Sequence, residues 1–349
     1  MSQTTIDAAA LRRFSAGLFE AVGVPADDAA VVATSLVGAD LRGIYSHGVV
    51  RLQPRYLEEI RDGHTNATPD IKSLRDSPAH ALLDGDRGQG QVVSHHAMGL
   101  AIEKARAGAI GVVAVNNSRH FGAAAHWALM APAEGMIGFA CSNGSRLTAA
   151  PFGGVEAAQG NMPMAYAIPN ANTDPIVLDM ATGAAAMGKV SMARIRGDSI
   201  PTGWAIDKDG QDTSDPHAVS AILPAGGPKG YSIGVVLDIL AGALTGGLPS
   251  TIKGLDATIA GQGNHSGHYF MAINIEAFVP LAGFAGTMTE HSRILHNVKP
   301  RPGFERVNLP GEIEWATHAQ RTADGIPFQQ QELDVLARMG DSFNVAPTW

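Results

Sequence analysis

The sequence predicts an α/β fold, and two observations carry that prediction. Between residues 80 and 178, short apolar runs typical of strands alternate with longer segments of helical period, which is the pattern of a sheet covered by helices. Both ends of the chain show helical patterns instead. A length of 349 residues suits two domains or one large domain with insertions, and it is ample for a buried core.

The N-terminal segment is expected to form helices. Residues 5–7 offer a cap before a first apolar-periodic run, and Pro25 with Asp27 opens a second helix. A third helix begins near Ser46. Pro54 should kink or break it, because proline lacks the amide donor that a helix interior needs.

The middle of the chain supplies strands and the helices between them. Predicted strands cover 80–84, 111–115, 136–141, 164–168, 176–178 and 269–275. Predicted helices cover 92–107, 123–133, 184–196 and 230–245. The apolar stretch 231–248 is short for a membrane span and holds Asp238 at its centre, so we interpret it as a buried or interface helix.

The C-terminal tail returns to helices, predicted over 287–296, 314–323 and 329–339. Chain termini often lie near each other in a folded domain. We therefore expect residues 1–75 and 312–349 to form one helical domain, with residues 76–311 forming the α/β region.

Composition excludes several function classes. The 25 basic and 33 acidic residues give a net charge of −8 with no basic run, so neither nucleic acid nor a membrane surface is an expected partner. Only 17% of residues are charged against 45% apolar, which suggests surface buried against another subunit. The single Cys141 forbids an intrachain disulfide and a cysteine zinc site. With no signal-peptide pattern at the start, we expect a cytoplasmic protein.

The sequence lacks the usual dinucleotide-binding fingerprint. Gly261, Gly263 and Gly267 come nearest, but the third glycine is one residue late and the run precedes a strand. Residues 226–231 open a helix with glycines and Lys229, and could present amide groups and a cation to a phosphate. An ordinary glycine-rich helix start explains that segment equally well.

Two histidine segments are candidates for chemistry. His47 and Arg51 stand four residues apart after Ser46, and would share one helix face. An imidazole that exchanges protons near neutral pH, beside a guanidinium that can hold a carboxylate, suits a reaction on a small acid. The alternative is a merely solvated helix end.

The second histidine segment is 116–122, with His120 between a predicted strand and a predicted helix. Ligand-binding groups congregate at such strand ends. The alternative is a turn capped by Ser118. No spacing of His, Asp and Glu resembles a metal site, and no nucleophile elbow is present, so no metal is expected.

Blocks in order along the chain then carry a resemblance. They are GADLRG at 38–43, SHG at 46–48, RHFG at 119–122, PFGG at 151–154, DMAT at 179–182, GPKGY at 227–231 and LPGE at 309–312. Each block is weak alone, but together they resemble the malate/L-lactate dehydrogenase family. These are non-Rossmann NAD(P)-dependent oxidoreductases that include ureidoglycolate, sulfolactate and diketogulonate enzymes.

The resemblance implies the family's non-Rossmann α/β fold, with a cofactor-binding and a substrate and dimerisation subdomain interleaved in 76–311. It also implies a homodimer whose active site borders the partner subunit, and NAD as cofactor, with NADP possible. His47 would donate or accept the proton beside Ser46, Arg51 would clamp the substrate carboxylate, and Ser145 would contact substrate. His120 looks like the second histidine that some members use as the base. The cofactor would be held by Asp179, Met180, Ala181, Lys229, Gly230, Gly311 and Glu312.

The implied reaction moves a hydride between the nicotinamide and C2 of a small 2-hydroxy or 2-oxo acid, while a histidine moves the hydroxyl proton. Two alternatives stay open: a reductase of cyclic imino acids, and a noncatalytic ligand-binding protein on the same fold. Which histidine is the principal proton-transfer group also stays open.

Departures from the family pattern leave the particular acid open. Asn161 and Met162 stand in the family's Gly-Thr-Asn-Pro segment, and Tyr45 precedes the Ser-His pair where a polar residue is usual. The segment 199–230 is most similar to ureidoglycolate enzymes, yet Asn264 stands where such an enzyme would place a substrate-binding arginine.

Overall fold

The computed structural model describes residues 3–144, 146–171, 173–255 and 266–349, with the backbone alone at 3, 53 and 54. The strands are β1 (Gln3–Ile6), β2 (Lys72–Asp76), β3 (His80–Asp84), β4 (Ile110–Ser118), β5 (Met136–Ser142), β6 (Pro163–Asn170), β7 (Thr173–Ala181), β8 (Ala205–Ile206), β9 (Ala221–Ile222), β10 (Ser266–Asn274) and β11 (Ile326–Gln329). The helices are α1 (Ala8–Ala21), α2 (Ala26–Leu41), α3 (Leu57–Arg61), α4 (Gly90–Gly108), α5 (Ala124–Ala128), α6 (Met187–Arg196), α7 (Pro228–Ala241), α8 (Ser250–Leu255), α9 (Leu281–His296), α10 (Glu312–Asp324) and α11 (Gln330–Phe343).

A seven-stranded sheet in the order β2-β3-β4-β10-β5-β6-β7 forms the centre. Within the described part of this sheet, β3 and β4 pair in parallel and the other neighbours pair antiparallel. This mixed sheet flanked by helices agrees with the predicted α/β class. The edge strand β2 escaped prediction because all five of its residues are exposed, so it carries no apolar alternation.

Helices α4 and α5 cover the sheet and bury its main core. Trp127, Val113 and Phe270 are fully buried in that core. Two glycines let the helices approach the strands closely. A β-carbon at Gly111 would overlap the carbonyl of Ala101 in α4, and one at Gly138 would overlap a carbonyl in α5. The predicted helix 123–133 is shorter than expected, since α5 ends at Ala128 and a 3₁₀ turn at Pro132–Glu134 follows.

A second core joins the two ends of the chain. Strand β1 pairs antiparallel with β11, and Leu11, Leu36 and Leu336 are buried in one cluster with residues of both strands. Helix α10 also contacts the central sheet, because the indole of Trp315 donates to the Pro175 carbonyl over 2.9 Å. The division into 1–75 with 312–349 and 76–311 stays a prediction.

The apolar helix α7 is shorter than the predicted 230–245. It ends at Ala241, and a 3₁₀ turn at Ala243–Thr245 follows. Asp238 inside it is 4% exposed and accepts hydrogen bonds from the Asn143 amide and from Ser250. Within the residues described, no helix is long and apolar enough to cross a membrane.

Candidate active site

The segment 45–61 is irregular where one helix was predicted. Two 3₁₀ turns, Tyr45–His47 and Val49–Arg51, flank Gly48, and a π-helical turn follows at Leu52–Tyr56 before α3. The break expected at Pro54 falls inside that π turn, where hydrogen bonds skip an extra residue. The segment bends sharply at Gly48, whose backbone is extended, so His47 and Arg51 do not share a regular helix face.

His47 and His120 are brought together by the fold. His120 follows β4, and its ring stacks on His47 with centroids 5.6 Å apart and an interplanar angle of 13°. The Nδ1 atom of His47 lies 3.0 Å from the exposed Ser46 hydroxyl. The two segments singled out separately in the sequence thus meet in one histidine pair.

Tyr56 is a member of this cluster that the sequence did not single out. Its side chain is 0% exposed, and its hydroxyl lies 2.6 Å from Nδ1 of His120. An aromatic residue within an apolar-periodic run is indistinguishable from a core residue by pattern. The only available signal was its position five residues after Arg51.

Both histidines are neutral near pH 7. Burial, followed by the charges of Arg51 and Arg55, lowers the pKa of His47 to about 4. Burial is also the largest cause that lowers the pKa of His120 well below its usual value, helped by Arg55 and by His47. A neutral imidazole can accept a proton or donate its single N–H, which is the capacity that a dehydrogenation requires.

Arginine charges surround the pair. The Nε of Arg51 donates to the Ser46 carbonyl over 2.5 Å, and among the described residues no hydrogen bond engages its two terminal amino groups. Burial is the first cause that lowers the Arg51 pKa, and the charges of Arg55 and Arg146 lower it further. Among the described residues, Nε of Arg55 is buried without a hydrogen-bond partner. An anion would relieve this crowding of positive charge.

A cleft of about 430 Å³ connects His47 with the edge of the sheet. It is lined by Ser46 and His47 on one side, and by Asp179, Met180, Ala181 and Gly311 among the opposite residues. Strand β7 is the last strand of the sheet, so one edge of its backbone faces this space. Gly311 has φ +93°, and a β-carbon there would lie 2.9 Å from Val177.

Asp179 and Arg42 carry the charges of the cleft. Asp179 is exposed at the cleft, yet partial loss of water around its carboxylate raises its pKa to about 6, against an opposing hydrogen bond from the Ala125 amide and the charge of Arg42. Arg42 is 8% exposed and lies 4.3 Å above the Trp315 ring. Its Nε and Nη1 atoms have no hydrogen-bond partner in the described part of the chain. Sequence reasoning missed Arg42, because a basic residue at a helix end resembles a solvated cap.

Other predicted cofactor residues lie apart from the cleft lining. Gly230 is in the first turn of α7, where a β-carbon would crowd the Thr182 carbonyl just after β7, and Lys229 precedes it. Glu312 uses its carboxylate within its own turn, accepting from the Leu309 amide and from Arg306 and facing His296. The predicted substrate residue Ser145 lies outside the described residues, as do Gly261, Gly263 and Asn264.

The remaining titratable candidates serve packing. His268 is buried between the hydroxyls of Ser118 and Ser142, each 2.9 Å from a ring nitrogen, and burial lowers its pKa to about 3. Cys141 is buried, which raises its thiol pKa. Over the ranges that the structure describes, no group of three or more His, Cys, Asp or Glu side chains is placed to hold a metal ion.

Two stacked histidines with lowered pKa values, an arginine beside them and a cleft at the sheet edge are typical of one class of protein, and the described sheet is largely antiparallel, unlike a Rossmann sheet. That class is the oxidoreductases that bind a nicotinamide cofactor on a non-Rossmann α/β fold. The sequence profile described as Malate/L-lactate dehydrogenase matches residues 6–337. The chain belongs to the malate/L-lactate dehydrogenase family, and it is a dehydrogenase.

Relatives by sequence support this placement. The chain is 46% identical to a malate dehydrogenase of Pyrococcus abyssi over 325 residues, covering 90% of this chain and 88% of the relative. It is 37% identical to the ureidoglycolate dehydrogenase (NAD(+)) of Escherichia coli K12 over 310 residues, covering 87% and 86%. Malate and ureidoglycolate are both 2-hydroxy acids, so the predicted enzyme class is confirmed at the level of the family.

Solved structures agree with the fold. The malate dehydrogenase of Pyrococcus horikoshii superposes with a TM-score of 0.88 at 37% identity, covering 99% of this chain and 97% of that one. The delta1-piperideine-2-carboxylate reductase of Pseudomonas syringae superposes with a TM-score of 0.84 at 29% identity, covering 96% and 99%. The predicted fold class is thereby confirmed.

Proposed function

We propose that this chain transfers a hydride between NAD and C2 of a small 2-hydroxy or 2-oxo acid. The observation that carries the proposal is the single cleft that joins His47 to the exposed edge of β7 at Asp179 and Ala181. A proton-transfer group and a cofactor site must face one space if both are to act on one substrate carbon.

The edge of β7 suits a nicotinamide carboxamide. The Val177 amide points outward, because it donates to the Pro310 carbonyl over 2.9 Å. Alternate residues of an antiparallel strand point the same way, so the backbone groups of Asp179 and Ala181 also face outward. An amide has one donor group and one acceptor, which pair with such an edge.

Two further features suit the rest of the cofactor. The Nε and Nη1 atoms of Arg42 lie buried at the cleft without a partner among the described residues, and they can donate to ribose or phosphate oxygens. The start of α7, with Lys229 and Gly230, can offer amide groups and a cation to a phosphate. We propose Met180 and Gly311 as walls of this site, and Glu312 as the residue whose carboxylate holds the turn that carries Gly311. NAD is proposed over NADP because one relative's name specifies NAD(+).

The proposed chemistry uses groups of this chain at each polar atom of the substrate. When bound, the nicotinamide accepts the hydride from C2 or returns it. Arg51 binds the carboxylate with its two terminal amino groups and orients C2, and Ser145 is proposed to add a substrate contact. Ser46 holds the ring of His47, and His47 or His120 takes the hydroxyl proton, which a neutral imidazole can do.

A reductase of cyclic imino acids is the second candidate, and the structural similarity to the piperideine-carboxylate reductase favours it. In that reaction the same cleft would hold an imine, and the histidine would protonate nitrogen. Carboxylate binding by Arg51 is common to both reactions. The higher identity to the hydroxyacid dehydrogenases places the imine second.

A homodimer is proposed on the basis of an exposed apolar surface. Val236, Ile239, Leu244, Ile252 and Leu255 on α7, α8 and the turn between them are 50% to 77% exposed. The double variant Val236→Lys, Ile239→Lys should be a monomer when its mass is measured by light scattering. If the double variant is still a dimer, this surface is not the dimer interface.

A cytoplasmic location is proposed on the single buried cysteine, because a free thiol is typical of a reducing compartment.

The test of the function follows nicotinamide absorbance with malate, lactate and ureidoglycolate, their 2-oxo partners and a cyclic imino acid, each with NAD and NADP. We expect turnover of at least one hydroxy acid with NAD, and its loss in His47→Ala. Turnover of the imine alone would favour the second candidate. No turnover of any compound, despite cofactor binding seen by fluorescence, would contradict both.

A further inference from the structure

A buried polar network lies where β5 ends, and Asn143 is at its centre. Asn143 is 2% exposed. Its amide group donates to Asp238 Oδ1 over 2.9 Å and to the Leu248 carbonyl over 3.2 Å. Its carbonyl oxygen accepts from the Gly267 amide over 3.0 Å and from Lys253 over 2.9 Å. Asn143 therefore joins the end of β5 to α7, α8 and β10, three residues before Arg146.

The same network reaches the chain on the other side of Arg146. The Thr148 amide donates to the Gln159 carbonyl over 2.9 Å. The amide of Gly160, the next residue, donates to the hydroxyl of Ser250 over 3.2 Å. That hydroxyl donates in turn to Asp238 over 2.7 Å. Asp238 thus holds the chain both before and after Arg146, through Asn143 on one side and through Ser250 on the other.

The residues 146–149, which we call the Arg146 loop, lie against this network. A β-carbon on Gly160 would lie 3.4 Å from the Arg146 carbonyl oxygen and 3.5 Å from the β-carbon of Ser250, so the Arg146 backbone is close to Ser250. The Arg146 side chain is exposed. Burial is the largest cause that lowers the Arg51 pKa, and the charge of Arg146 adds to it. Arg146 therefore lies near the arginine that is proposed to bind the substrate carboxylate.

We propose that Asn143, Asp238 and Ser250 are positioning residues, which fix the Arg146 loop so that the Arg146 charge faces the substrate. This inference rests on the proposed function, because Arg146 acts only if the site binds an acid. An anchored loop has lost its freedom before the substrate arrives, whereas a loose loop must be ordered on binding, and that entropy cost weakens binding. A buried carboxylate is costly unless it is well paired, and a fully paired network is rigid. The alternative is that the network only packs α7 and α8 against the sheet.

Ser250→Ala removes the hydroxyl that joins Gly160 to Asp238. Ser94→Ala is the matched control, because Ser94 is equally buried and its hydroxyl has no partner among the described residues. The readout is the ratio of kcat/KM for malate, which has a second carboxylate, to kcat/KM for lactate. This ratio does not depend on how much of the enzyme is folded, so a loss of stability alone leaves it unchanged.

We expect the ratio to fall about threefold in Ser250→Ala, which is the size of one solvated charge pair, and to keep its parental value in Ser94→Ala. In the double variant with Arg146→Ala, Ser250→Ala should cause no further fall, because two changes that act through one group are not additive. An unchanged ratio in Ser250→Ala, or a further fall in the double variant, would overturn the positioning role.

Asp238→Asn is a second variant that acts on both anchors at once. It keeps the size of the side chain but replaces one acceptor oxygen with a donor, opposite groups of Asn143 and Ser250 that donate to it. We expect a larger fall in the malate to lactate ratio than Ser250→Ala gives. An unchanged ratio in Asp238→Asn would overturn the inference whether or not Ser250→Ala folds.

Hydrogen exchange without substrate separates failure of this inference from failure of the proposed function. We expect a peptide covering 146–150 to exchange faster in Ser250→Ala than in the parent or in Ser94→Ala, because the loop amides lose their fixed acceptor. Unchanged exchange in an active Ser250→Ala enzyme would refute the anchoring. Faster exchange in a protein whose parent turns over no acid would support the anchoring and contradict the proposed function alone.

Discussion

The carboxylate of Asp40 occupies the space where a β-carbon on Gly48 would lie, so that atom would overlap Asp40 Oδ1. Asp40 is 2% exposed and accepts a 2.9 Å hydrogen bond from the Val49 amide. This contact ties α2 to the turn that carries His47. The backbone φ of Gly48 is −86°, which any residue can adopt. Glycine is therefore required here because a larger side chain would overlap Asp40, and not because of the backbone conformation.

Gly48→Ala should lower both stability and activity. The added methyl must push Asp40 away from Val49, and overpacking of this kind costs about 1–3 kcal/mol. Gly99→Ala in α4 is the control, since no atom lies within 4 Å of its β-carbon position, and we expect it to stabilise by about 0.5–1 kcal/mol. Denaturant unfolding measures both changes. Equal free energies of unfolding for the two variants would show that Asp40 moves aside without a loss of stability.

The pH dependence of hydroxyacid oxidation should begin well below the usual histidine range. The proton acceptor must be unprotonated, and burial lowers the pKa of His47 to about 4 and that of His120 well below its usual value. Since either ring is protonated only far below pH 6.5, kcat with saturating cofactor and acid should stay level through pH 6 and decline near 4. A change in kcat/KM near 6 would belong to Asp179, whose pKa is raised to about 6, whereas an acid limb of kcat near 6.5 would contradict the lowered histidine pKa values.

Arg55→Gln should move this acid limb upward. Arg55 is one of the two charges that lower the His47 pKa, so its removal makes protonation of His47 easier and raises that pKa. Arg61→Gln is the control, because Arg61 is exposed and does not contribute. The comparison is made on kcat profiles of the three proteins, and coincident limbs for the parent and Arg55→Gln would contradict the electrostatic cause.

Arg51→Lys should weaken substrate binding strongly. The Nε of Arg51 donates to the Ser46 carbonyl. A guanidinium has two further amino groups that can bind a carboxylate, whereas the lysine ammonium has a single nitrogen. Loss of one charge-assisted hydrogen bond costs about 1.5–3 kcal/mol, so we expect kcat/KM to fall by about 10- to 100-fold. Arg61→Lys provides the matched control. An unchanged kcat/KM in Arg51→Lys would remove the clamp role.

The sequence was sufficient to predict the strands and helices in which buried and exposed residues alternate with a regular period. In strand β3 the second and fourth residues are buried and the others are exposed or partly buried, and the strand was predicted with its observed bounds. Strand β2 has no buried residue, and β1 pairs with a strand from the other end of the chain, so neither leaves a local pattern. Pairing over such distances depends on tertiary contacts, which periodicity does not contain.

The same distinction holds for the site. Ser46, His47 and Arg51 interrupt an apolar run, and that contrast made them visible as candidates. Tyr56 contacts His120 from 64 residues away, and nothing in its own segment indicates that its hydroxyl has a polar partner. The stacking of His47 on His120 is likewise a property of the assembled fold alone.

The charge around the histidines predicts a preference for substrates with a second anionic group. One carboxylate satisfies Arg51, yet Arg55 and Arg146 add two further positive charges nearby. We expect kcat/KM for malate to exceed that for lactate, because the second carboxylate of malate relieves the repulsion among these arginines. Arg146 is exposed, so its substitution should leave the fold intact.

Arg146→Ala should therefore act on malate selectively. We expect its kcat/KM for malate to fall by about 3- to 10-fold, which corresponds to the modest energy of a solvated charge pair, while that for lactate changes less than about twofold. Raised ionic strength should reduce the difference, because salt screens exposed charges over distances of about 8–10 Å. Equal effects on both acids, or no effect of salt, would mean that Arg146 does not sense the second carboxylate.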